Sequence, residues 1–337
     1  MSAALPVAPR SEFRTRLRDL LTAPLARVVA RRLLTTVPLL FVVSALSFLL
    51  ISLTPGDAAR QILGTDAPPE AYPKLRHQLG LDLPIHQQYW NWLRHALGGD
   101  LGSSLYTGQS VTDAINGRLP VTISLITGAL LVSVLVGVGL GVLSAVRRGT
   151  LGRFIDGFAM IGAAIPPFWA GAVLIVIVAV KLAWLPPTGY VPAAESPSLW
   201  AASLVLPVLA LSLAGIAALA KQTREAMLDV LGSEHIRMAR ANGIARKSLV
   251  FRHGLKNAAI RVTTIVGIQA VGLLGGTVVT ESVFALPGLG SLAVNSTVQH
   301  DLPVVQGLVL YFTVIVVAIN LVIDLTYSWL NPKVRTR

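Results

Sequence analysis

The stretch "ARANGIARKSLVFRHGLKNAA", Ala239–Ala259, is basic, carries a glycine near its start and lies between two long apolar runs. Upstream, Glu195 and Lys221 enclose 25 positions without Asp, Glu, Lys or Arg; downstream, Arg261 and Glu281 enclose 19. Leu, Val, Ile, Ala and Gly dominate both intervals. A transmembrane helix needs about 20 apolar residues to cross roughly 30 Å of hydrocarbon. Backbone polar groups in lipid must be satisfied within the segment, so runs of this length predict helices and not a barrel. The basic stretch is then a loop joining two membrane spans.

The same reading extends outward to four more intervals. Arg32 and Asp57 enclose 24 uncharged positions, Arg118 and Arg147 enclose 28, Asp156 and Lys181 enclose 24, and Asp301 and Asp324 enclose 22. The expected fold is all-α and polytopic, with six transmembrane helices in a domain over residues 33–330. Composition agrees: 13% of the 337 residues are charged and 53% are hydrophobic, whereas soluble domains carry about 25% charged residues. The first run is too long for a signal peptide and lacks a clear small-residue cleavage site. Residues 1–32 form a basic extension. Pro6, Pro9 and Ser11 mark a disordered start, and "FRTRLRDLLTAPLARVVARR" reads as an amphipathic helix on the membrane surface. Residues 331–337 form a short tail.

Six crossings put both ends on one side. If that side is the cytoplasm, it holds 22 of the 28 Lys and Arg, nine of them in the loop 221–261. Cytoplasmic loops carry such an excess, so both termini are expected inside the inner membrane of a bacterial cell. The bias also accounts for the net charge of +12 without nucleic acid as a partner. The absence of cysteine excludes disulfides, thiolate catalysis and Cys-ligated metal. The six His are scattered, and neither a metal nor a cofactor is expected.

The outer segment 57–118 contains "LGLDLPIHQQYWNWLRHALGGDLGSSL". Apolar residues from Pro84 to Leu97 recur at helical spacing. Tyr89, Trp90 and Trp92 could sit at headgroup depth. Two readings stand: a lid packed on the outer mouth, or a docking surface for an external partner. The loop after the fifth span reads "ESVFALPGLGSLAV". Gly288, Gly290 and Ala293 satisfy GxGxxA, but no strand–helix–strand context surrounds them, so a dinucleotide site is rejected. Glu281 either reaches interfacial water from its helix end or serves the pathway or its gating. Gly137 with Gly141, and Gly272 with Gly276, form small-xxx-small pairs. They pack helices within the chain or form a moving interface with a second subunit.

The inner loop "KQTREAMLDVLGSEHIRMARANGIARK" reads as helix, break, helix. Gly232-Ser233 interrupts the pattern, Ser233 is placed to cap a new helix, and Gly243 supplies a turn that a Cβ would strain. Lipid headgroups explain the charge but not a short helix that ends on glycine.

These motifs together resemble the integral-membrane permease subunits of binding-protein-dependent ABC importers. The likeness is to the dipeptide/oligopeptide/nickel branch, at the subunit usually placed first, over about Arg27 to Lys333. It rests on "RRLLTTVPLLFVVSALSFLLISLTPGD", "LGLDLPIHQQYWNWL", "GDLGSSL", "AAIPPFWAG", "ESVFALPGLG" and "HIRMARANGIARKSLVFRHGLKNA". The last is similar to the cytoplasmic EAA loop. In register with Gly243, the Glu-Ala-Ala places hold Arg237, Met238 and Ala239, a departure common in the peptide branch. The resemblance implies a type I ABC importer permease fold. It implies a second homologous permease as heterodimer partner, two cytoplasmic ATPase subunits and an extracytoplasmic substrate-binding protein. It further implies that Arg237, Met238, Ala239, Arg240 and Gly243 form an ATPase-coupling helix. Pro166, Phe168 and Trp169 are candidates, with Glu281, for the pathway or its gating. Translocated peptides, or a related small solute, are the implied cargo.

The chain has no Gly-Lys pair, so it holds no phosphate-cradling P-loop, and HExxH and GxSxG are absent too. It is therefore expected not to be an enzyme itself, and energy must come from another subunit. The alternative is a secondary transporter or channel that works alone.

Overall fold

The computed structural model describes residues 24–53, 56–64, 66–147 and 150–330. The expected disordered start, most of the surface helix before Arg32, and the tail 331–337 lie outside the described residues. Everything regular within them is helical, apart from one isolated bridge between Ser103 and Ser110.

Helix α1 spans Pro24–Leu53 and runs through Arg31 and Arg32 without a break. Three short helices follow: α2 (Ala58–Leu63), α3 (Ala71–Gln78) and α4 (Ile85–Leu97). The long helix α5 spans Val111–Val146, α6 spans Thr150–Ala164 and α7 spans Pro167–Lys181. Next come α8 (Pro197–Gly232), α9 (Glu234–Ala241) and α10 (Arg246–Val283). The chain closes with α11 (Leu289–Val298) and α12 (Leu302–Leu330).

Five of the six expected spans are single helices long and apolar enough to cross a membrane: those within α1, α5, α8, α10 and α12. The third is not continuous. It breaks at Ile165–Pro166, and its last seven residues, Ile175–Lys181, wind as a π-helix. The cause is the Pro166-Pro167 pair. Neither proline has an N–H to donate, and a residue before proline is pushed out of the α region. Pro166 accordingly takes φ −63°, ψ 138°, and Pro167 restarts the helix near its first position, where a missing N–H costs nothing. A span written as one apolar interval is thus built from α6 and α7.

The central pair is α5 against α8. Gly128 faces Val208, Gly137 faces Leu219 and Ile216, and Gly141 faces Ala220 and Thr223. Numbers rise together, so the two helices run parallel. A Cβ at Gly137 would fall 2.8 Å from Leu219 Cβ and 2.9 Å from the Ile216 carbonyl. The first small-xxx-small pair therefore packs helices within this chain. The second pair divides: a Cβ at Gly272 would meet nothing within 4 Å, whereas one at Gly276 would lie 3.3 Å from Leu211 Cδ2 of α8.

Helix α10 runs back antiparallel to α8, with Arg261 on Asp229 at one end and Gly276 against Leu211 further along. Helix α12 runs antiparallel to α1: Arg32 pairs with Asp324 at 2.6 Å, and Gln306 reaches Ser47. Leu34, Val37, Leu50, Leu135 and Val322 remain exposed. In water such residues would be a liability; on helices apolar all round they mark a surface meant for hydrocarbon.

Three cores sit at successive depths. Val142, Ala145, Met227 and Val250 join α5, α8 and α10 next to the inner loop. Val121, Leu125, Leu206, Ala210 and Phe284 fill the middle. Val111, Ile115, Leu289, Val304 and Leu308 join α5, α11 and α12 at the far end.

Candidate functional site

The basic loop has a defined shape. Helix α8 ends at Gly232 and Ser233 turns the chain with φ −70°, ψ 157°. Ser233 occupies the N-cap place of α9, as expected, but its hydroxyl donates to the Val230 carbonyl and faces His235 at 3.0 Å instead of accepting an α9 amide. Arg237 donates from Nε and Nη2 to the Gly232 carbonyl at 3.3 and 3.1 Å. It thereby satisfies an orphan acceptor at the end of α8.

At the other end of α9, Gly243 takes φ +79°. Its amide donates to Arg240 O at 3.1 Å, and the Ile244 amide donates to Ala239 O at 3.2 Å. This 5→2 and 6→1 pair is the helix stop that a left-handed residue permits, and glycine is the residue that adopts it without a Cβ penalty. The turn read from sequence is a specific hydrogen-bonded device.

The faces of α9 differ. Ile236 is fully buried, whereas Met238 is 69% exposed. Arg237 and Arg240 are exposed and Ala239 is half-buried. The helix is anchored by one side chain and presents a thioether and two guanidinium groups outward. Other cations of the loop tie the bundle. Arg246 donates to the Val146 carbonyl at the end of α5, and Arg224 pairs with Asp156 of α6 at 3.0 Å.

In the outer segment, α4 covers the stretch expected to be helical and packs on α1. Tyr89 Oη lies 2.9 Å from Ser44 Oγ, and its ring meets Phe41, Phe48 and Trp92. Trp90 points away, 49% exposed, beneath the Arg94 guanidinium. The aromatic trio divides: Tyr89 ties α4 to α1, Trp92 packs beside Tyr89 on the same helix, and Trp90 is exposed.

The remaining candidates do not form one cluster. Pro166 makes the break between α6 and α7. Phe168 and Trp169, on the first turn of α7, are about half exposed. Glu281 is fully buried. Its Oε1 accepts from Thr122 Oγ1 of α5 at 2.7 Å, and its Oε2 accepts from the Ser291 amide at 2.8 Å. Thr122 Oγ1 in turn accepts from the Leu289 amide at 2.8 Å. Gly288 and Gly290 of the GxGxxA pattern are there for closeness: a Cβ on Gly288 would overlap the Glu281 carboxyl, and one on Gly290 would strike Val278.

One polar centre has no counterpart in the sequence reading. Asp301, at the start of α12, is buried; it accepts from Ser104 Oγ and, at 3.1 Å, from the Leu105 amide. In the sequence it marked only the edge of an apolar run. Among the described residues, no group of three or more His, Asp or Glu could hold a metal.

Residues 137–336 match the family described as the binding-protein-dependent transport system inner membrane component, and residues 25–126 match its N-terminal companion. The chain belongs to that family. The permease is 40% identical to a protein of Brucella abortus named as a peptide transport system permease, over 91% of this chain and 98% of that one. It is 39% identical, with the same coverage, to a glutathione transport system permease protein of Escherichia coli. The fold is that of an inward-facing MetNI methionine ABC transporter, with a TM-score of 0.52 at 18% identity over 62% of this chain and 93% of that one. The permease is thus a multi-pass inner-membrane component of an ABC importer, a system that works with ATPase and substrate-binding partners.

Proposed function

We propose that this permease is one of two homologous membrane subunits that together enclose a path for peptides or a related small solute. The cargo class follows the names of the relatives above. In this reading, ATPase subunits dock on the inner loop and a substrate-binding protein docks outside. Both termini are cytoplasmic in this reading, which the distribution of Lys and Arg supports. Trp90 is the exposed aromatic of the outer docking surface, and Tyr89, with Trp92 packed beside it, holds that surface on α1. Pro166, Phe168 and Trp169 belong to the pathway or its gating.

The observation that carries the proposal is α9. It is a short helix, anchored by Ile236, stopped by Gly243, and exposing Met238 and Arg240 on the basic side of the bundle. A moving partner can shift an equilibrium between inward-open and outward-open states only by binding the two differently. A stiff, shaped helix rooted on α8 and α10 is suited to that grip.

The test is a pair of substitutions in the reconstituted complex. No atom lies within 4 Å of a Cβ built on Gly243, so any effect within the chain comes from backbone conformation. Gly243→Val should strain the turn by roughly 1–3 kcal/mol. Gly243→Asn should be tolerated, because Asn enters the left-handed region far more readily. The valine variant should insert normally yet lose ATPase binding or substrate-stimulated hydrolysis, while the asparagine variant retains both. Equal, undiminished activity in the two would leave the loop as a determinant of topology alone.

A further inference from the structure

Helix α10 runs unbroken for 38 residues from Arg246, beside α9, to Val283, with a π-helical stretch at Leu249–Leu255 before the regular α-helix Lys256–Val283. At 1.5 Å per residue its 28-residue α-helical part alone is ~42 Å long, more than the thickness of a bilayer's hydrocarbon core. Its inner end is joined to α9 through the Gly243 stop. Its far end carries Glu281, which is buried away from interfacial water, with Arg118 the basic group that attracts its charge. The carboxylate instead holds a neighbouring helix. The first three amides of α11 would be orphans at a helix start. Ser291 N goes to Glu281, the Gly290 amide also turns to it, and Leu289 N goes to Thr122, itself bonded to Glu281. One carboxylate and one hydroxyl therefore fasten three helices, α5, α10 and α11, at a single buried point. The α10–α11 connection is equally confined: Leu286 N donates to Glu281 O at 2.8 Å, and Phe284 O accepts from Gly189 N in the segment after α7.

The other end of α11 is fastened as well. The chain turns through His300 at φ +57° to Asp301, whose carboxylate holds Ser104 and Leu105. That segment leads into α5 through a hydrogen bond from Val111 N to Gly102 O. Helix α11 is thus bracketed between two buried carboxylates, and both brackets close on α5 or its lead-in.

We propose that Glu281, with Thr122, is the positioning clamp that carries a displacement of α10 to α11 and the outer segment, so that the stroke received at α9 reaches the far mouth. This rests on the permease reading above. A carboxylate suits the role because charge-assisted hydrogen bonds to backbone amides are about twice as strong as neutral ones, and the start of a helix favours negative charge. Glutamine keeps the shape but brings its own N–H groups toward donors already committed to the site. Valine at 122 keeps the volume and removes the relay to Leu289.

The experiment uses the full complex in proteoliposomes, with a peptide taken up by the wild type. Substrate imported and ATP hydrolysed are measured together for Glu281→Gln, Thr122→Val and Thr122→Ser. The clamp predicts that Glu281→Gln and Thr122→Val assemble and hydrolyse ATP, but import fewer peptides per ATP by about fivefold or more, the lower end of typical coupling effects. Thr122→Ser, which keeps the hydroxyl, should match the wild type. Wild-type ratios in both disruptive variants would overturn the clamp. So would import and hydrolysis falling in step with a lower melting temperature, which is the signature of a fold-only role. If Glu281→Gln fails to assemble, the Val and Ser variants at 122 decide alone. A wild-type complex whose import needs no ATP would instead overturn the permease reading and the clamp with it.

Discussion

Single residues in this chain do local electrostatic work that can be tested one at a time. His77 on α3 lies 2.7 Å from Asp82 across the turn toward α4, and both are solvent-exposed. The hydrogen bond, with the pair's mutual attraction, raises the imidazole above its ordinary 6.5; the same hydrogen bond first of all lowers the carboxyl below its ordinary 3.8. The sign follows from linkage. The raised His77 contributes fully below 6.5, and that contribution fades as pH rises through its higher folded value. The lowered Asp82 contributes fully above 3.8, and its part is lost as pH falls through its lower folded value. The α3–α4 turn should therefore be best ordered between about 3.8 and 6.5 and should loosen on the alkaline side. Hydrogen exchange at Gly80–Leu83 against pH would check this, with His77→Gln flattening the alkaline change. Such pairs are hard to read from sequence, because an exposed His and Asp five positions apart have many other arrangements. Asp301 is a stronger case. Its partners Ser104 and Leu105 are almost two hundred positions away, and no periodicity links a charge at the edge of a span to a loop that distant.

At the scale of elements, apolar length predicted helices well and helix continuity poorly. Intervals between charges coincide with five helices long and apolar enough to span and, for the third, with α6 and α7, because lipid disfavours charge within a span, and that constraint acts on composition. Whether a span is one helix depends on backbone donors, which composition does not report. Pro166-Pro167 was visible, yet α1, α5 and α8 also contain prolines, at 38, 120 and 207, and stay unbroken. A pair of adjacent prolines leaves two consecutive amides without hydrogen, and that is the difference. The glycine pairs were equally ambiguous until their neighbours were known. Gly141 lies so close to α8 that an added Cβ would sit 2.6 Å from both the Ala220 carbonyl and Thr223 Cβ. Gly141→Ala should push α5 off α8 and destabilise the purified permease by ~1–3 kcal/mol. Gly272→Ala, facing open space, should leave the isolated permease as stable as wild type. Melting temperatures in detergent would compare them. If Gly272→Ala weakens only the assembled complex, that face of α10 belongs to an interface with another subunit.

At the scale of the whole molecule, the ion pairs and hydrogen bonds sort the bundle into two ends. Arg32–Asp324, Arg246 to Val146, Arg224–Asp156 and Arg261–Asp229 join helices at one end. Asp301 to Ser104 and Glu281 to Ser291 join them at the other. The start of α1 and the end of α12 therefore lie together, as an even number of crossings requires. Packing alone does not say which end faces the cytoplasm, since a bundle turned over has the same contacts. The excess of Lys and Arg at the first end supports the proposed orientation with that end in the cytoplasm, because basic loops tend to be retained inside. The natural chain has no cysteine, so a single introduced thiol reports its side without background. His86→Cys, exposed on α4, should react with a membrane-impermeant maleimide added to whole cells. Lys247→Cys, exposed at the start of α10, should react only after the membrane is opened. Both substitutions lie outside the spans, so neither should disturb insertion. Labelling in the reverse order would invert the permease, placing α9 on the side without ATP. Labelling of both thiols in intact cells would mean that the chain between them does not cross an odd number of times, which the run of α5, α6 with α7, and α8 cannot accommodate.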